Sequence, residues 1–474
     1  MSLGRSLALL TALALAACAV GPDYHRPELP VTETFRDTAA EQASIADTPW
    51  FDVFNDPVLR QLVEESLANN RDLHAAIANV EQARDQAAIA RGPLFPQIGY
   101  NAAAGRGKQA VVASAVTGLP TGNTFLALAN ASWEIDVWGR IRRSAEASYA
   151  DLLASDAVRR GVVLSLVSSV AQAYFELLEL DLELQIDHDN VVAFQETYEL
   201  FSRRYRGGVA SKLDSLRAQA ALAQVAADVP RVEQAIVAKE NQLSVLVGRP
   251  AQGMPRGAVL LAQAVPPETP AGVPAQLLER RPDLIESEQR LVTANAAIGE
   301  TFANYFPRVG LTALGGTLST DASRLLEGRA SIWSYAAQAA GPLFTAGQTT
   351  YQWRAAQAAT EAARASYEGS VLNALAEVSN ALTARTKLAT QRGELEKAVN
   401  ALEESLKTAR TRYTGGLASY LEVLDAQQQL YPAQLALAQV RLQELVAVVD
   451  LYRVLGGGWS QNGETPTVPS NLRP

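Results

Sequence analysis

The sequence predicts a mainly helical chain carrying a little membrane-type β-structure, built twice by tandem duplication. Three observations predict it: an internal repeat, two long proline-free stretches of helical periodicity, and four short alternating segments of strand type. The repeat comes first, because a missed repeat miscasts the whole fold. Tyr205-Arg-Gly-Gly-Val-Ala-Ser-Lys-Leu-Asp-Ser-Leu-Arg-Ala-Gln219 aligns with Tyr413-Thr-Gly-Gly-Leu-Ala-Ser-Tyr-Leu-Glu-Val-Leu-Asp-Ala-Gln427, with nine of fifteen positions identical at an offset of 208. The same offset sets Gly139 on Gly347 and Gly161 on Gly369; an offset of 211 sets Asp72-Leu73 on Asp283-Leu284 and Phe95-Pro96 on Phe306-Pro307. The repeated unit is therefore about 200 residues long.

Each unit opens with a helix (about 60–92, and about 276–304) that Phe-Pro closes, since proline lacks the helical amide and forces an extended residue before it. Two strands follow in each copy, about 97–106 and 124–135, then about 308–318 and 331–344. Phe125, Ala127, Ala129, Ala131, Trp133 and Ile135 share one face; Ile332, Ala336 and Ala340 share another, with Trp333 and Tyr335 opposite. Such alternation over about ten residues suits a membrane-barrel strand, and a soluble hairpin is the alternative. The helical rods are less ambiguous. From Gly139 to Arg204, and from Gly347 to Arg412, the pattern stays helical; Val163, Val167, Val170, Tyr174 and Leu177 step by four and three. Val371, Leu375, Val378 and Leu382 repeat that seam, with Arg385 in place of Leu177. This is coiled-coil spacing, and at 1.5 Å per residue each rod reaches about 100 Å. Gly207-Gly208 and Gly415-Gly416 turn the rods, and Ser211 and Ser419 are placed to cap helices that return to about 247 and about 455.

The flanks complete the expected organisation. Residues 1–17 have a charged start and a short apolar run, as a secretory signal does. Leu15-Ala16-Ala17-Cys18 resembles a lipobox, which makes Cys18 the expected lipidation site; the alternative is an ordinary signal with an incidental cysteine. A lipid-anchored segment and collar (18–59) precede the first repeat (60–247). A Pro-rich linker (248–275) joins it to the second repeat (276–456), and a polar tail (457–474) follows. Cys18 is the only cysteine, so no intramolecular disulfide forms. The net charge of −9 argues against a nucleic-acid partner. No apolar run after the signal reaches spanning length, so any bilayer crossing falls to the strands.

Four strands cannot cross alone. Unpaired backbone groups cost several kcal/mol each in hydrocarbon, so the sheet must close with strands of other copies. Three scattered histidines (His25, His74, His188), no Gly-x-Ser-x-Gly and no phosphate-cradling loop leave neither catalytic nor metal or cofactor constellation; an enzyme is not expected.

Cys18-Ala-Val-Gly-Pro-Asp-Tyr-His-Arg-Pro27, Trp133-Glu-Ile-Asp-Val-Trp-Gly-Arg140, Arg280-Arg-Pro-Asp-Leu284, Gly341-Pro-Leu-Phe344, Leu424-Asp-Ala-Gln427 and Leu455-Gly-Gly-Gly-Trp459 together resemble the TolC-like outer-membrane factors of the NodT lipoprotein type. That resemblance implies a homotrimer: a twelve-stranded barrel in the outer membrane, a periplasmic α-helical barrel and an equatorial collar. It implies a passive efflux conduit, docked through a periplasmic adaptor onto an inner-membrane transporter of the RND or MFS type. The adaptor-facing tips would be Gly207, Gly208 and Ser211, and Gly415, Gly416 and Ser419. The periplasmic aperture would be formed by Leu421 and Asp425, with Arg412 and Tyr413 just before them. Leu421 and Asp425, four apart, stack on one helix face, and the position equivalent to Asp425 in the first copy is Arg217. The two copies are thus expected to exchange salt links near the tip; a solvated surface acid is the alternative for Asp425. The rival reading is a periplasmic adaptor or spacer lipoprotein without a pore. An adaptor would carry one hairpin between β-rich halves, and a spacer would need no amphipathic strands.

Overall fold

The computed structural model describes residues 19–29, 54–107, 122–265, 274 and 277–457. Cys18, the signal segment, most of the expected collar segment, Pro266, Pro267, Pro270 and the tail from 458 lie outside the described residues. The duplication is plain in the element order. The first copy runs α1 (Pro57–Asn69), α2 (Arg71–Arg91), β1 (Gln97–Gly107), β2 (Gly122–Ile135), α3 (Arg140–Arg206) and α4 (Lys212–Leu246). The second runs from a helical turn (Leu277–Arg280) to α5 (Pro282–Ala303), β3 (Arg308–Ser319), β4 (Ser331–Ala340), α6 (Gln348–Thr414) and α7 (Tyr420–Val454). Both rods have 67 residues and both returning helices 35. The change in offset from 211 to 208 falls between the paired strands, where 14 residues separate β1 from β2 and 11 separate β3 from β4.

Two expectations need correction. The single helices over 60–92 and 276–304 are each broken. Asn70 is extended (φ −62°, ψ 130°), accepts from the Leu73 amide and donates from Nδ2 to Leu246 O at 2.9 Å. Its counterpart Arg281 (φ −71°, ψ 121°) donates to Val454 O at 3.1 Å. Each break therefore satisfies a carbonyl at the end of the returning helix, one of the groups a helix leaves unpaired. The strand expected over 331–344 stops at Ala340, because Gly341-Pro342 follows and proline has no amide for the ladder.

The four strands form one antiparallel sheet in the order β1-β2-β3-β4. Its register sorts the side chains. Residues paired across neighbouring strands point to the same face, so Ile98 and Tyr100 join Phe125, Ala127, Ala129, Ala131 and Trp133, then Leu311 and Ala313, then Trp333 and Tyr335. Between the Ile98 and Ala104 rungs that face has no charged or amide side chain. The opposite face collects Gln97, Asn101, Asn130, Ser132, Glu134, Arg308, Thr312, Ser334 and Gln338. Alternation of this kind builds a wall between lipid and water. Both edges of the sheet, β1 and β4, are open within the chain.

The core sits at mid-height, where Leu59, Leu62, Val170, Tyr174, Leu177, Leu243, Leu284, Tyr367, Val378, Leu445 and Leu451 pack together. Contrary to expectation, α3 contains an 18-residue stretch apolar enough to cross a membrane by length and composition, but 67% of it is buried inside the chain; it is a core rod. Asp56 ties the start of α1 to this core. It caps α1 through the Val58 and Leu59 amides and accepts from Tyr174 (2.9 Å) and Gln263 (2.7 Å). Residues 19–29 lie along the upper tube. The Val20 amide bonds Trp138 O, Asp23 pairs with Arg143 at 2.8 Å, and Arg26 grips Glu288 with two 2.7 Å bonds while Tyr24 donates to the same carboxylate.

The hairpin tips as a candidate aperture

Two turns end the rods at the pole far from the sheet. In each, the second glycine adopts a left-handed conformation, φ +73° at Gly208 and +71° at Gly416, which glycine enters without the usual Cβ penalty. The bonds Val209 N→Arg204 O and Gly208 N→Tyr205 O, repeated as Leu417 N→Arg412 O and Gly416 N→Tyr413 O, are Schellman closures. Ser211 caps α4 by accepting from the Asp214 amide, and its hydroxyl donates to the Asp214 carboxylate at 2.8 Å. Ser419 occupies the matching N-cap position, but its side chain makes no capping bond.

Behind the turns, α3 of the first copy packs on α7 of the second through a polar and aromatic cluster. Tyr420 lies edge-on to Phe201 (4.4 Å between centroids) and to Tyr413 (5.0 Å). Its hydroxyl bonds Thr197, which donates in turn to Ala193 O at 2.8 Å. Burial pushes the Tyr420 phenol up, which keeps it neutral and able to donate. Gln427 Oε1 lies 3.4 Å from the Thr197 hydroxyl. Arg204 donates to the Tyr413 hydroxyl and stands 5.6 Å over its ring, a charge-assisted bond with a cation–π contact.

The expected aperture residues divide. Arg217, Tyr413 and Leu421 line one cleft of about 280 Å³ between the hairpins, together with Phe201, Arg204 and Tyr420. Arg412 and Asp425 stand outside it. Arg412 faces Glu422 of its own hairpin at 3.7 Å, and Asp425 accepts from Gln429 at 2.7 Å. Within the chain, then, Asp425 and Arg217 are not paired with one another; Arg204 and Tyr413 form the link between copies. Leu421 is 59% exposed, and Leu421 and Asp425 both lie on the open side of α7. Thr197, Phe201, Arg204, Tyr420 and Gln427 escaped the reading of the sequence. Their signal was the three- and four-residue stepping of Phe194, Thr197, Phe201 and Arg204 along the end of the rod. Among the described residues, no three His, Cys, Asp or Glu side chains gather as a metal site.

A sheet with one apolar face and two open edges, set on duplicated rods of about 100 Å, defines the subunit of a membrane-spanning duct. The family of outer membrane efflux proteins matches residues 62–249 and 273–457, and the chain belongs to that family. It is 33% identical to the outer membrane protein OprJ of Pseudomonas aeruginosa, over 96% of each chain. It is 31% identical to the cation efflux system protein CusC of Escherichia coli, over 97% of this chain and 100% of that one. Among solved structures, the open-state MtrE outer membrane channel of Neisseria gonorrhoeae superimposes with a TM-score of 0.85 at 31% identity, covering 94% of this chain and all of that one. The chain is thus an outer-membrane channel component of an efflux system that extends into the periplasm, with the fold of these channels: three chains supply twelve strands and a helical tube.

Proposed function

We propose that the channel is a passive duct docked by a periplasmic adaptor onto an inner-membrane transporter of the RND or MFS type, with acylated Cys18 as its lipid anchor. The sheet carries this reading: between the Ile98 and Ala104 rungs one face holds no charged or amide side chain, Gln97, Asn101, Asn130, Glu134 and Gln338 lie on the other, and two open edges call for strands of neighbouring copies. Ala19 supports the anchor: it packs against Gly139, where a Cβ would come within 2.6 Å of the Ala19 Cβ. The residue after Cys18 therefore sits at the junction of sheet and rods. The turns at Gly207, Gly208 and Ser211, and at Gly415, Gly416 and Ser419, are the adaptor-facing tips. Leu421 and Asp425 on the open side of α7 make the apolar and acidic rings of a periplasmic aperture. Tyr413, bonded to Arg204 of the first copy, links the two hairpins, while Arg217 and Arg412 set positive charge beside the acidic ring.

Single-channel recording in planar bilayers tests the aperture. Asp425→Ala and Arg412→Ala are each expected to raise conductance, and to let an otherwise excluded bulky antibiotic into cells. Unchanged conductance and unchanged leak in both variants would rule the aperture out.

A further inference from the structure

The two turns share a backbone and differ in charge. The first turn with its flanking helix ends (202–217) holds five basic side chains, Arg203, Arg204, Arg206, Lys212 and Arg217, and one acid, Asp214, for a net charge of +4. The matching stretch of the second copy (410–425) sets Arg410 and Arg412 against Glu422 and Asp425, for a net charge of zero. The whole chain carries −9, so the first turn is a local inversion of sign. The duplication shows that the turn does not need this charge to form. Where the first copy has Arg203, Arg206 and Lys212, the second has Thr411, Thr414 and Tyr420, and its turn closes with the same backbone bonds.

Nothing within the chain balances it. Arg204 donates to Tyr413, and Asp214 accepts from Ser211. Arg203, Arg206, Lys212 and Arg217 are exposed, and among the described residues none of the four forms an ion pair. Arg203 and Arg206, three apart, share one face of α3, off the row of Thr197, Phe201 and Arg204 that meets α7. The acids of the second turn are engaged within their own hairpin, Glu422 facing Arg412 and Asp425 accepting from Gln429. Beside the charge lies apolar surface, with Val209 68% and Leu213 55% exposed. An apolar centre with an arginine-rich polar rim is the composition of a protein interface. The rod holds this surface about 100 Å from the sheet and its bilayer.

We infer that the first-copy turn, and not the second, docks an acidic protein surface, the end of the periplasmic adaptor. This rests on the adaptor-facing reading of the turns and adds which of them recognises charge, and of what sign. Around a ring of three chains, three basic turns then alternate with three neutral ones. Charge draws the partner in from a distance and fixes the turn it takes, because a partner rotated by one turn meets no opposite charge.

Matched charge changes at the two turns test this, all at exposed side chains, with trimers on a native gel as the check on assembly. Arg203→Thr with Arg206→Thr gives the first turn the residues of the second and removes two positive charges. Thr411→Glu with Thr414→Glu subtracts the same amount at the second turn. The probe is fluorescein-labelled poly-L-glutamate, read by anisotropy against purified trimers. Wild type is expected to bind it at about 0.1 M salt and to weaken about tenfold at about 1 M, where the screening length falls from about 10 Å to about 3 Å. The first variant should bind about fivefold more weakly than wild type at the lower salt, and the second about as wild type does. Arg203→Lys with Arg206→Lys, which retains the charge, should bind as wild type does. In cells, ethidium efflux should fall severalfold in the first variant and not in the second. Wild-type probe binding in the first variant, or equal loss of efflux from both variants, would overturn the inference. Wild-type efflux in the first variant would overturn it as well, and weakened binding of that variant to phosphatidylglycerol vesicles would then assign the basic turn to a membrane surface. Val209→Cys and Leu417→Cys, each compared before and after blocking with biotin maleimide, isolate the underlying reading: if neither block lowers efflux, the turns do not face the adaptor at all.

Discussion

Asp187→Asn is expected to stabilise the lower tube at neutral pH and to flatten its pH dependence. Asp187 is fully buried, and of its two carboxylate oxygens Oδ1 accepts from Tyr431 while Oδ2 has no partner. The same hydroxyl lies 3.1 Å from Asp228 Oδ2, yet it has one hydrogen to give. With Asp187 protonated, its O–H donates to Tyr431, and Tyr431 donates to Asp228, which Arg231 holds at 3.1 Å. Two bonds form where the ionised acid permits one. Burial pushes the Asp187 carboxyl up, Glu183 and Asp228 add to the rise, and Tyr431 and Arg231 oppose it. The folded state therefore binds more protons than the unfolded chain between the ordinary aspartate value, about 4, and the raised one. The stability this site contributes is complete below the lower value and is lost as pH rises through the upper. Asparagine carries no charge and donates to Tyr431, so about 1–3 kcal/mol per chain should be recovered at neutral pH, the usual cost of a buried polar group left unpaired. Unfolding in detergent, followed by circular dichroism from about pH 4 to about pH 8, measures this as the difference between wild type and variant. Glu179, pushed up to about 7 by burial and by Glu183 and Glu176, titrates in both proteins and cancels. Parallel curves, or a variant less stable than wild type at the alkaline end, would refute the reasoning.

Two further outcomes follow from close contacts. A Cβ on Gly316 would lie 2.1 Å from Ala127 O and 2.8 Å from Leu128 Cα, while one on Gly315 meets nothing within 4 Å. Gly316→Ala should thus prevent assembly of the barrel, read as loss of heat-resistant trimers in outer-membrane fractions, and Gly315→Ala should not. Glu288→Gln removes the charge that binds Arg26 and Tyr24 from a site only 7% exposed. About 1.5–3 kcal/mol of charged hydrogen bonding goes with it, so the backbone amides of Tyr24 and His25 should exchange hydrogen for deuterium at least several-fold faster than in wild type.

The strands were legible because the alternation of Phe125 to Ile135 and the Phe-Pro boundaries are local signals, and three of the four strands ended within two residues of expectation. The pairing of β2 with β3 was not, since that register depends on partners some 200 residues away; it alone showed that Trp333 and Tyr335 share the face of Phe125. The breaks at Asn70 and Arg281 were missed for different reasons. Asn70 does not interrupt the helical period, and its side chain is held by the distant Leu246; at Arg281 the signal was local, since Pro282 forces an extended residue before it, and it went unread. At the tip, the glycine turns were readable from dipeptides, whereas the Tyr420 cluster needed the two hairpins laid side by side. Asp425 showed its spacing in the sequence, but its neighbour Gln429 displaced the opposite charge that symmetry had suggested.

The three-residue difference between the copies has a mechanical consequence. It falls between the paired strands in sequence, and both rods keep 67 residues. The two turns of every chain consequently reach the same level, and a ring of three chains ends in six turns flush with one another. A complementary ring pressed against that end meets six supports of equal height, so load spreads evenly instead of tilting the cylinder. A single residue gained or lost in one rod would set three of the six turns about 1.5 Å off the level of the others.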